Sequence, residues 1–95
     1  MEKIEFDKAC EYRWKLWMPK LERYGKDLWR KYSLDLLMKL AENRLTEVIN
    51  VYKETGYFDT DNFIDAMNFC DMILNKMVLR EQQKGRWKNE NDATA

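Results

Sequence analysis

Histidine is absent from this 95-residue chain. That gap removes the usual zinc ligand, the histidine-activated nucleophiles and the commonest general base. Glycine occurs three times and proline once, too rarely for the repeated tight turns of an all-β protein. No run of 18 apolar residues and no signal peptide is found, so a cytoplasmic protein with no membrane role is expected. Net charge is missing as well, with 17 Lys and Arg against 17 Asp and Glu, which argues against indiscriminate nucleic-acid binding. A basic recognition helix is also lacking, so sequence-specific DNA binding is not expected. Cys10 and Cys70 have no CxxC spacing. Both fall on apolar helix faces and read as core residues of a reducing compartment.

What is present is helical. The composition is 45% apolar, with four Trp and six Met, enough for one small core. Between Glu2 and Met18, the residues Phe6, Ala9, Cys10, Trp14, Leu16 and Trp17 share a side opposite Glu5, Lys8, Glu11 and Lys15, the pattern of an amphipathic helix. Pro19 is expected to end or kink it, because proline cannot donate to the helical ladder and disfavours helical geometry in Met18. A short segment bent at Gly25 follows. Ser33 then suits an N-cap, with Asp35 in the first turn. From Leu34 through Leu37, Met38, Ala41, Leu45, Val48, Ile49 and Tyr52 the i, i+3, i+4, i+7 rule holds without a gap.

Gly56 suits the stop of that helix, and Asp59 or Thr60 the cap of the next. The stretch from Asp59 to Gln83 is the one around which the chain is organised. It is apolar over most of its circumference, with Asp61, Asp65, Asn68 and Asn75 within roughly 80° of one another. The expected fold is all-α: an antiparallel bundle of three main helices with a short bent helical segment between the first two. Residues 1–83 form the single domain and 84–95 a disordered tail. Because the last helix is apolar on more than one face, a homo-oligomer is expected.

Charge is unevenly placed. Residues 1–32 hold nine basic and six acidic side chains, a net of +3, and residues 33–83 hold five and nine, a net of −4. Without histidine, hydrolytic chemistry would rest on carboxylates, which suit Mg²⁺ as a hard cation with oxygen ligands. Glu42, Asp61 and Asp65 are the candidate metal ligands, with Asn68 a neutral oxygen one turn beyond Asp65. Tyr24, Trp29, Arg30 and Lys31, around Gly25, are candidates to stack a base and hold phosphate. Asp61 also fits plain dipole complementation in a first turn, and Asp65 and Asn68 also fit an interhelical hydrogen bond. Trp14 and Trp17 read as core.

The segment from Tyr24 to Leu74, with Tyr24, Gly25 and Trp29, a glutamate-bearing helix, a short loop and then Asp65 and Asn68 in IDAMNFCDMI, resembles the MazG-type all-helical nucleoside triphosphate pyrophosphohydrolases. It is nearest their short phage-type relatives and spans about half the chain. The resemblance implies a multimeric bundle, Mg²⁺ held by carboxylates of two successive helices, and release of pyrophosphate from a nucleotide. Glu42 would match an acidic ligand of the first helix and Asp65 the aspartate of the second, with Asn68 beside it. The pattern departs where the first helix needs a second glutamate one turn on, since Thr46 stands there. It departs again in the second helix, where only Asp61 stands near the place of the preceding Glu. Two functions are therefore expected: a nucleotide-handling oligomer, catalytic or only binding, or a small interaction protein such as an inhibitor or adaptor from a phage or mobile element acting on a host protein. The surplus of Trp and Tyr motivates the second.

Overall fold

The structure is a computed structural model and describes residues 1–24 and 27–85. The fold is all-α, with helices α1 (Lys3–Tyr24), α2 (Leu28–Lys31), α3 (Leu34–Thr55) and α4 (Thr60–Gln83) and no strand among the described residues. No described helix is long and apolar enough to cross a membrane. Of the expected 84–95 tail, Lys84 and Gly85 form a turn, and residues 86–95, with Trp87, lie outside the described residues.

The boundaries of α3 and α4 follow from local chemistry. The Ser33 hydroxyl accepts the Leu36 N–H at 3.2 Å, relieving one of the orphan donors at the start of α3. Gly56 ends that helix in the left-handed region, φ 75°, where its N–H donates to the Tyr52 carbonyl, a conformation that costs a residue with a Cβ. The Asp59 carboxylate then accepts the Asn62 N–H at 3.1 Å and its side-chain amide at 2.7 Å, opening α4.

These caps fold α3 and α4 into a helical hairpin, and every buried residue among those described belongs to it: Leu37, Ala41 and Val48 on α3, and Ile64, Ala66, Asn68 and Met72 on α4. Leu37 is buried completely. The expected three-helix bundle is not reproduced in detail. α4 is the common neighbour, packing closely on α3 and touching α1 and α2 at a few points. The Cα radius of gyration is 15.6 Å, against about 12 Å for a compact domain of this length.

Three expectations are corrected. α1 continues through Pro19 to Tyr24. Pro19 is exposed, so the hydrogen bond it removes opens towards water and not into a core. Cys70 is exposed and Cys10 only half-buried, because Cys70 lies on the side of α4 facing away from Asn68, by about 160°. Trp14 is 53% exposed and is not core. Trp17 is half-buried, on the side of α1 that meets α4.

Candidate functional site

α1 lies against α4 through two ion pairs. Arg13 Nη1 contacts Asp71 Oδ2 at 2.8 Å, and Lys20 Nζ contacts Asp65 Oδ1. Arg13 and Lys20, seven residues apart on α1, return to nearly the same face, whereas Asp65 and Asp71, six apart on α4, lie about 120° from one another, on either side of Asn68. The carboxylate read from the sequence as a metal ligand is thus held by an ammonium group from 45 positions earlier.

Glu42 and Asp61 are exposed. Among the described residues no group of three or more His, Cys, Asp or Glu is placed to hold a metal ion, so Glu42, Asp61 and Asp65 are not brought together. Mg²⁺ on those three would require Asp65 to leave Lys20 and the other two to turn inward. The side chain of Tyr24 lies outside the described residues. Lys31 is exposed. Arg30 is exposed as well, with Nε 3.4 Å from Asp27 Oδ1.

Beside the Lys20–Asp65 pair is a cavity of about 190 Å³ lined by Trp17 and Lys20 of α1, Tyr32, Arg44 of α3, and Asp65, Asn68, Phe69 and Met72 of α4. Asn68 is only 7% exposed and is the one buried polar residue of the described chain. Among the described residues its Nδ2 has no hydrogen-bond partner, and a buried donor left in that state costs about 1–3 kcal/mol. Arg44 Nη1 lies 3.4 Å from Asn62 Oδ1, a long contact for a hydrogen bond.

Sequence reasoning named Asp65 and Asn68 of this cavity as site residues and missed Arg44 and Tyr32. One signal was available for Arg44. It sits within about 40° of Leu37 and Val48 on α3, a cation on an otherwise apolar stripe.

Trp29 and Arg30 come together elsewhere. The Arg30 guanidinium lies 4.7 Å and Lys76 Nζ 5.8 Å from the Trp29 ring centroid, both within cation–π range. They line an open cleft of about 370 Å³ with Leu34, Leu79, Arg80 and Gln83. Among the described residues, three cations and no carboxylate line this cleft.

A third hollow is apolar. Leu45, Val48, Ile49, Tyr52 and Lys53 of α3, with Phe58 and Phe63, line a groove of about 550 Å³. The Phe58 and Phe63 rings pack at 5.2 Å and 56°, a tilted geometry favoured by aromatic quadrupoles. Compared with protein-family models, curated proteins and solved structures, the chain matches none.

Proposed function

We propose that this protein is a non-catalytic interaction module that assembles through the uncovered stripe of α3, closing first on a second copy of itself. The observation that carries this reading is the exposure of side chains that obey the same periodicity as the core. Met38, Leu45, Ile49 and Tyr52 range from 42% exposed at Leu45 to 56% at Tyr52 and lie roughly 60–120° around α3 from Leu37. Met38, Leu45 and Tyr52 recur every seven residues, the spacing that keeps one seam facing a partner helix. An antiparallel copy centred on Leu45 sets Met38 opposite Tyr52, a self-complementary contact of the kind two-fold symmetry requires. The apolar groove receives the facing side chains, in the manner of a helix laid in a groove.

Sedimentation analysis tests this. A dimer is expected at micromolar concentration, and Leu45→Asp combined with Ile49→Lys is expected to yield a helical monomer. A wild-type monomer at about 100 µM, far above the dissociation constants usual for such interfaces, would remove the reading.

A second reading, nucleotide handling, is favoured by the Trp29 cleft. Its volume of about 370 Å³ falls within the range of small-molecule sites, and an indole beside three cations suits a planar anion. Mg²⁺ would serve there with the nucleotide phosphates and not with the separated Glu42, Asp61 and Asp65. Titration calorimetry with nucleotides, with and without Mg²⁺, decides it. Binding weakened by Lys76→Ala and Arg80→Ala is the expected result.

A further inference from the structure

α1 crosses α4 along the side that carries Asn68. Its two anchors there, Asp65 and Asp71, stand three residues before and three after Asn68, about 60° to either side of it. The cavity beside the Lys20 contact and a smaller hollow of about 100 Å³ beside the Arg13 contact are both lined from α1 and α4, and Trp17 and Asn68 are the residues common to the two. Trp17 thus passes over the Asn68 position with a hollow on either side.

That cover seals a donor without satisfying it. Asn68 Nδ2 is closed to water and has no acceptor among the described residues. Buried donors are nearly always paired, because one cut off from both water and protein forfeits the hydrogen bonds it makes when solvated. The forces holding α1 down are weak by comparison. No described side chain of α1 is buried, and in the two ion pairs Asp71 is 46% and Lys20 37% exposed, so water and salt screen both contacts. One sealed donor weighs about as much as two such pairs together.

We infer that α1 is a detachable arm whose docking Asn68 opposes, so that docked and lifted states interconvert without unfolding of the α3–α4 hairpin. Lifting returns the Asn68 amide to water, and the Asp65 and Asp71 contacts act as the latch. Lifting also lays bare Asp65, Asn68 and Asp71 together, an acidic strip of α4 that the basic segment 1–32, net +3, otherwise covers. The arm gates access to that strip.

Hydrogen exchange of the whole chain tests this, followed amide by amide by NMR at urea concentrations below the unfolding transition. A lone helix of 22 residues interrupted by Pro19 is marginal in water, so lifting exposes the α1 amides. In the wild type these are expected to be protected about 100-fold or less, with little dependence on urea, whereas the slowest amides of α3 and α4 follow the full urea dependence of unfolding. Asn68→Leu removes the donor at nearly constant volume. It is expected to slow exchange along α1 about tenfold and that of the hairpin by no more. Wild-type α1 amides that share the protection and urea dependence of the hairpin would overturn the inference, and this measurement needs no variant to fold. So would an Asn68→Leu protein in which the hairpin slows while α1 does not, since the donor would then be sealed by the hairpin itself. Faster exchange along α1 in that variant would overturn it as well, by making Asn68 part of what holds the arm down.

Discussion

α1 and α3 are each 22 residues long and both are amphipathic, yet α3 buries Leu37, Ala41 and Val48 while no described side chain of α1 is buried. The difference lies in how tightly the apolar residues cluster. On α3 those from Leu34 to Tyr52 fall mostly within a half-circle of roughly 180°. On α1, Ile4, Phe6, Tyr12, Trp14 and Met18 are spread around the whole circumference of the helix and stay exposed. One flat neighbour cannot cover a ring of apolar groups. α1 is therefore held to α4 chiefly by half-exposed ion pairs, each worth about 0–1 kcal/mol, and the hairpin carries the stability.

That contrast can be broken most directly at Leu37. Leu37→Ala is expected to lower the unfolding free energy by about 2–5 kcal/mol, the cost of an emptied core position. Trp14→Ala, although it removes far more side chain, should cost less than about 0.5 kcal/mol. Urea denaturation of the two variants side by side is the measurement, and equal losses would mean that α1 is as integral as α3. The next effect concerns the turn. Gly56→Ala is expected to cost about 1 kcal/mol, since a Cβ disfavours φ 75°, although the space around that position is open. Smallest is Asp71→Asn, which breaks the contact with Arg13. The melt should move by less than about 1 kcal/mol, while amide exchange along α1 quickens and that of α3 does not.

Much of the hairpin was legible because its signals are local. Ser33, Gly56 and Asp59 each act within four residues, and the caps stand where the sequence placed them. The apolar face of α3 was equally plain, but periodicity says that a face wants covering and not what covers it. Met38, Leu45, Ile49 and Tyr52 therefore belong to the pattern without belonging to the core. The candidate site was legible in part. Asp65 and Asn68 do line a cavity, but the partner of Asp65 is Lys20, and no local rule joins two helices across 45 positions. Pro19 does not end α1, the first of the two outcomes expected of it. A proline on the wet side of a helix removes one hydrogen bond without ending the helix.

The two thiols give the molecule a built-in gauge. Cys10 faces α4, with Arg13 Nη2 3.9 Å from its sulfur, whereas Cys70 stands in the open. An alkylating reagent should label Cys70 at the rate of a free thiol and the half-buried Cys10 more slowly, with the rate at Cys10 rising when α1 swings away. The ratio of the two rates reads the opening equilibrium of that arm in the unmodified sequence, and any molecule that clamps the arm will slow one reaction and leave the other alone.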